Sequence, residues 1–192
     1  YYLCLLFTKS KSGIIAAIIS LAIYFIIKIF QKTNFKNLTI PLLIFLSTSL
    51  IISNPIKDTI FPSNIPQSTY QNGTLNITPS EDIRKIVWTG AVDLWRQFPL
   101  LGTGPETFAY SYYWTRPASH NLTSEWDFLY NKAHNEYLNY LATTGAFGFL
   151  SYLFLILSFL ISCFSSPALL ASFISILITN FAGFSVVVSS LY

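Results

Sequence analysis

Residues 137–192, YLNYLATTGAFGFLSYLFLILSFLISCFSSPALLASFISILITNFAGFSVVVSSLY, carry no charged side chain. In a soluble domain roughly every fourth residue is charged, so this 56-residue stretch describes a chain in apolar surroundings. Ser165-Ser166-Pro167 divides it, which predicts one span over 145–164 and another over 168–192. The rest of the chain agrees. Of its 192 residues 53% are hydrophobic, 17% aromatic and only 10% charged, and all eight acids fall between Asp58 and Glu136. Mean hydropathy is +0.52. This is the make-up of an integral membrane protein, and it excludes a cytosolic globule.

The N-terminal third adds two spans. Residues 12–30 hold a single charge, Lys28, and at 1.5 Å per residue reach about 28 Å, close to the hydrocarbon thickness of about 30 Å. Residues 38–53 make a second span, interrupted by Pro41 and the Ser47–Ser49 triplet. Between them the turn 31–37 carries Lys32 and Lys36, with Lys28 just behind and no acid, which assigns it to the cytoplasm. Two crossings then place 54–141 outside. That loop holds six basic and eight acidic residues against a chain total of +3. The positive balance is therefore a topology signal, and nothing supports a nucleic-acid partner.

The expected fold is an all-α polytopic transmembrane helical bundle. Residues 1–53 and 142–192 span, and 54–141 form a large, partly helical extracytoplasmic loop. The chain lacks methionine and opens on YYLCLLF, which has no basic flank of a signal peptide and reads as the end of a preceding span. The sequence thus reads as a fragment truncated at both ends. Cys4 and Cys163 sit in apolar runs and are expected as buried thiols.

Within the loop, 57–79 is rich in Pro, Ser, Thr and Asn and reads as irregular. Ser80-Glu81-Asp82 supplies an N-cap and first-turn acids. Ile83, Ile86, Val87, Ala91, Leu94, Trp95 and Phe98 follow at helical spacing until Pro99. The stretch 99–108, PLLGTGPETF, reads as a tight glycine turn entering a short aromatic helix. A further helix is expected from about 125 to 143, carrying Trp126, Leu129, Tyr130, His134, Tyr137, Leu138 and Leu141.

His134 is the first candidate for chemistry, because a neutral imidazole near the outer membrane surface can take a proton from a hydroxyl. The alternative is a histidine packed among Tyr130, Tyr137 and Leu138. His120, in ASHNLT, reads as a loop residue. With two histidines and no acid at ligand spacing, a metal site is not expected. Arg84 stands at a helix start, where a guanidinium and free N–H groups suit phosphate; alternatively it pairs with Glu81 or Asp82. Arg96 lies about 120° away around the helix. Lys9 and Lys11 flank the first clear span. Such lysines ordinarily snorkel, but these face outward, against the positive-inside tendency, which suits an anionic ligand. The loop's tryptophans and tyrosines fit a sugar-stacking surface or an interfacial belt.

Three blocks together resemble one family. Residues 8–13, TKSKSG, are similar to the T-x-S-R-G/S start of a span in the O-antigen ligase and polymerase family of bacterial membrane proteins. Residues 83–108, IRKIVWTGAVDLWRQFPLLGTGPETF, resemble its R-x-x-x-W … P-L-L-G-x-G-x-x-x-F block. Residues 133–153, AHNEYLNYLATTGAFGFLSYL, resemble its A-H-N-x-x-L … G-x-x-G block. The resemblance implies a helical inner-membrane enzyme that moves a glycan from an undecaprenyl-pyrophosphate carrier to an acceptor hydroxyl at the outer face. The acceptor is lipid A–core sugar, a growing glycan or a protein, and neither a nucleotide sugar nor a metal or other cofactor is implied. Arg84 matches the arginine of the second block and His134 the histidine of the third. Lys11 stands where the family has arginine, giving a point charge in place of a planar fork. The rival reading is a non-catalytic polysaccharide or lipid transporter subunit. Transporters place charge at mid-membrane, whereas here the polar residues gather in the loop.

Overall fold

A computed structural model describes residues 2–7, 10–31, 36–51 and 78–183. The expectations for Lys9, Lys32, the Lys36 side chain, residues 57–77, the Cys4 side chain and residues beyond 183 lie outside them. Every regular element among the described residues is helical: α1 (Tyr2–Phe7), α2 (Lys11–Phe30), α3 (Lys36–Ile51), α4 (Ser80–Gln97), α5 (Phe108–Ser111), α6 (Glu136–Cys163) and α7 (Pro167–Phe181). Short 3-10 turns cover Tyr112–Trp114 and Ala118–Leu122.

Among the described residues, two helices are long and apolar enough to cross a membrane: α2, with hydropathy 2.5, and α6, with 2.2. A core helix of a soluble protein would pass the same test but would be covered. Here only 11% of each apolar window is buried, and Phe147, Leu150, Phe154, Leu155, Leu157 and Ile161 of α6 are exposed. Side chains of this kind in water would cost about 1.5–3 kcal/mol each relative to burial, which suits helices covered by lipid or by further apolar chain. The α3 and α7 helices have 16 and 15 residues, about 24 and 23 Å at the α-helical rise.

The chain divides into two compact units, one of residues 1–67 with 160–179, the other of 68–159 with 180–192. In the first, Ser10 caps α2 by accepting the Gly13 N–H at 3.2 Å. A Cβ at Gly13 would meet Leu5 Cδ1 at 2.7 Å, so the missing side chain lets α1 close on α2. A groove of about 660 Å³ is lined by Ala17, Ser20 and Leu21 of α2, Phe45 of α3 and Ala171 and Ser175 of α7. Cys163 is buried, as expected.

The second unit is organised by α4. Its Ile83, Val87, Ala91 and Leu94 recur at four, four and three residues and form one core with Phe108, Tyr112, Tyr130, Ala133 and Ala142. Gly90 permits the closest approach: a Cβ there would lie 2.6 Å from the Tyr112 ring, and the Gly90 carbonyl accepts from Thr115 Oγ1 at 2.8 Å. The start of α4 differs from the sequence reading. Ser80 is its first helical residue and Pro79 the cap, without a side-chain cap bond. Pro79 is held extended, and its carbonyl takes the Asp82 and Ile83 N–H groups at 3.0 and 3.2 Å. Reciprocal Thr78–Ser124 bonds, N–H to hydroxyl in both directions at 3.1 and 3.0 Å, tie this start to the loop.

The glycine turn after Pro99 does more than turn. Gly145 interrupts α6 with φ 63° and ψ −167°, which removes the i→i−4 bonds that Ala146 and Phe147 would make to Ala142 and Thr143. The 99–104 backbone replaces them one for one. Ala146 and Phe147 donate to the carbonyls of Pro99 and Leu100 at 2.8 and 3.2 Å, and the Ala142 and Thr143 carbonyls accept from Thr103 and Gly104 at 3.3 and 2.7 Å. The two strips touch backbone to backbone. A Cβ at Gly102 would sit 2.4 Å from the Thr143 carbonyl carbon, and one at Gly145 2.4 Å from that of Leu100. Beyond this lock α6 runs on as the apolar stretch expected for the third span.

The helix expected from about 125 to 143 is not formed as drawn. Residues 124–127 turn, 128–135 are non-helical and α6 begins at Glu136. The cause is a local cap. Asn135 Oδ1 accepts the Leu138 N–H at 3.1 Å and its carbonyl the Asn139 N–H at 2.9 Å, while Asn139 Oδ1 accepts the Ala133 N–H at 3.3 Å. An Asn that captures its own helix N-terminus stops the helix from extending backward. Trp126 and Leu129, read as part of an apolar stripe, stand exposed.

Candidate active site

His134 sits just ahead of this cap, in the left-handed region at φ 53°. A non-glycine residue there is costly and needs surrounding contacts to hold it. Its half-buried imidazole is therefore placed by a backbone bend before a helix and not by a helix face. Ala133 on one side and Asn135 and Glu136 on the other are buried. Glu136, at the first position of α6, brings an acid to the positive end of the helix.

Arg84, half-buried in the first turn and a half of α4, acts on the same imidazole. Burial is the larger cause holding His134 below its ordinary pKa of 6.5, the Arg84 charge the second, and the Glu125 carboxylate opposes both. The ring is thus neutral near pH 7 and able to accept a proton. Two residues fifty apart in sequence are brought into one electrostatic neighbourhood. The neighbouring charges of α4 are engaged elsewhere: Lys85 pairs with Asp82 at 3.0 Å and Arg96 with Asp93 at 2.8 Å, on exposed positions. Lys11 belongs to the other unit, where it is the exposed first residue of α2.

His120 is the larger surprise. It is completely buried, although ASHNLT reads as a loop. Its Nδ1 shares a hydrogen bond with the Tyr112 hydroxyl at 2.9 Å. Burial, then the Arg116 charge, pushes its pKa down, against the Glu125 backbone and carboxylate. Tyr130 meets His120 edge-on at 5.0 Å and 83°, and meets His134 at 5.6 Å and 67°. The Tyr130 hydroxyl donates to Glu125. Burial raises both the Tyr112 and Tyr130 phenols well above their usual range, so both stay protonated. Arg116 donates to the Trp126 carbonyl and stands 5.9 Å from the Tyr113 ring. No apolar period marks any of this; a histidine and two tyrosines inside ten-residue intervals were the available signal.

A protein helical in every regular element among its described residues, with an imidazole and a guanidinium in one neighbourhood outside its apolar helices, carries groups able to do polar chemistry. By sequence the chain belongs to the O-antigen ligase family, whose model matches residues 2–153. None of the curated proteins compared with the chain matches it. Membership makes it a membrane-integral enzyme of glycosyl transfer.

Proposed function

We propose that the chain transfers a glycan from an undecaprenyl-pyrophosphate carrier to an acceptor hydroxyl at the outer face of the bacterial inner membrane. The acceptor is a lipid A–core sugar, a growing polysaccharide or a protein side chain. The observation that carries this reading is the joint placement of Arg84 and His134 in one neighbourhood. The acceptor oxygen attacks the anomeric carbon, the bond from that carbon to the pyrophosphate oxygen breaks, and the hydroxyl proton passes to His134. Attack opposite the leaving group inverts the anomeric centre. Arg84 stabilises the charge that grows on the departing pyrophosphate, while Lys11, in the other unit, is a candidate cation from the family resemblance alone. The polytopic arrangement, with 54–141 outside the membrane and 1–53 and 142–192 spanning it, is part of the same proposal, supported by the lysine asymmetry and the lipid-facing exposure of α2 and α6.

Arg84→Ala tests the phosphate role. Transfer from carrier-linked glycan should fall about 10²–10³-fold, the usual loss of one charge-stabilising donor, at an unchanged level of inserted protein. Arg84→Lys should keep part of the rate, because a point charge remains. Full activity of Arg84→Ala at matched membrane levels would reduce Arg84 to a surface residue.

A further inference from the structure

The backbone strip that repairs α6 carries an apolar edge of its own. Residues 97–105, QFPLLGTGP, hold no charge. Leu101 is 75% exposed, and Phe98 and Leu100 are exposed with it. The Trp114 ring, also exposed, stands 5.8 Å from the Phe98 ring. Large apolar side chains grouped in this way mark a surface that meets something other than water. The carbonyls beneath them are turned inward. That of Pro99 accepts from Ala146 N–H at 2.8 Å and from Trp95 Nε1 at 3.2 Å. That of Leu100 accepts from Phe147 N–H at 3.2 Å, and that of Phe98 from Gly102 N–H at 3.0 Å. Irregular backbone whose carbonyls are paired within the protein can approach a bilayer, where no water completes the bonds.

The same bonds fix where the edge sits. They join Leu100 to Phe147, where α6 leaves the Gly145 break as an apolar helix with Phe147, Leu150 and Phe154 exposed. From Ala146 to the last residue of α6, Cys163, is about 27 Å at the α-helical rise, close to the hydrocarbon thickness of about 30 Å. With α6 spanning, Leu100 therefore lies at the membrane boundary. We propose that Phe98, Leu100, Leu101 and Trp114 form a foot that enters the interfacial zone of the outer leaflet and rests the loop on the lipid surface. The occupant is lipid, because backbone bonds make this edge continuous with the helix whose exposed side chains meet lipid. The leucines take the acyl boundary and Trp114 the headgroup level, the usual station of an amphipathic indole. The inference rests on the reading of α6 as a span with the loop outside.

Depth-dependent fluorescence quenching tests it. Cys4→Ala with Cys163→Ala removes the chain's two cysteines. In that background Leu101→Cys, Leu100→Cys or Phe154→Cys is labelled with a fluorescent maleimide. All three positions are exposed, so none of these changes removes a core contact. The labelled full chain is reconstituted into vesicles of phosphatidylethanolamine and phosphatidylglycerol. Lipids with a nitroxide just below the headgroup should remove most of the fluorescence at positions 100 and 101, and aqueous iodide should remove little. The label at 154 should respond most to a nitroxide at the acyl-chain end. A label at 101 that iodide quenches and lipid nitroxides do not would place the edge in water. One that neither quencher reaches would place it against another protein segment or a second copy. Either result, with the label at 154 still quenched from the chain ends, overturns the foot and leaves the span. A label at 154 that no lipid nitroxide quenches overturns the span itself, and the foot with it.

Discussion

His134→Gln should lower glycan transfer about 10²–10⁴-fold, the contribution of a positioned general base, while the protein stays inserted and still binds the carrier-linked donor. The imidazole lies between a bent backbone and the Tyr130 ring, and glutamine fills similar space without a group that titrates near neutrality. If His134 were only a packed ring, the substitution would instead lower stability, and turnover per folded molecule would persist. KM for the donor should hardly change, because the proton is taken from the acceptor and the pyrophosphate is left to Arg84. A loss confined to kcat fits an interaction made in the transition state.

Gly145→Ala should be the most damaging single change to the fold. The residue sits at φ 63° and ψ −167°, a region open essentially to glycine alone, where a Cβ costs about 1–3 kcal/mol by itself. That Cβ would also stand 2.4 Å from the Leu100 carbonyl carbon and oxygen and 2.6 Å from Gly102 N. These are backbone atoms, so no rotamer relieves the clash; the 99–104 strip must withdraw. With it go the four hydrogen bonds that repair the break in α6, leaving polar backbone unsatisfied at the start of an apolar helix. A destabilisation of about 4 kcal/mol, read as a fall of about 10 °C in the detergent melting midpoint, is the expected result. Gly104→Ala, though strained at φ 113°, should be milder, since its Cβ would meet the Thr107 side chain, Cγ2 at 3.1 Å, and no backbone atom within 4 Å. An unchanged midpoint for Gly145→Ala would mean that the glycine lock is not structural.

What was legible in the sequence was local. The uncharged stretch after Glu136 and the spacing of Ile83, Val87, Ala91 and Leu94 are short-range patterns, and α2, α4 and the apolar part of α6 follow them within one or two residues. Arg84 and His134 were also visible as residue types in the blocks 83–108 and 133–153. Their shared neighbourhood was not, because it depends on how α4 packs against the segment before α6. The glycine lock escaped for the same reason. Gly102 reads as a turn and Gly145 as the edge of a span, and only the exchange of backbone partners across some forty residues shows why both lack side chains. The helix expected over 125–143 failed on a competition between signals: Trp126, Leu129 and Tyr130 recur at helical spacing, but Asn135 caps the chain five residues after Tyr130, and Tyr130 turns inward to Glu125. His120 gave no periodic sign of burial, since a 3-10 turn of five residues is too short to carry one.

The most direct test is the pH dependence of transfer by the intact enzyme at saturating acceptor. Burial and the Arg84 charge lower the His134 pKa, so the neutral, proton-accepting form persists into mildly acidic solution. As pH rises, the rate should climb through a single titration centred below 6.5 and be flat from there to pH 8. In His134→Gln that limb should vanish along with most of the rate. A wild-type profile with no acid limb, or one whose limb His134→Gln leaves in place, would contradict the assignment of His134 as the base.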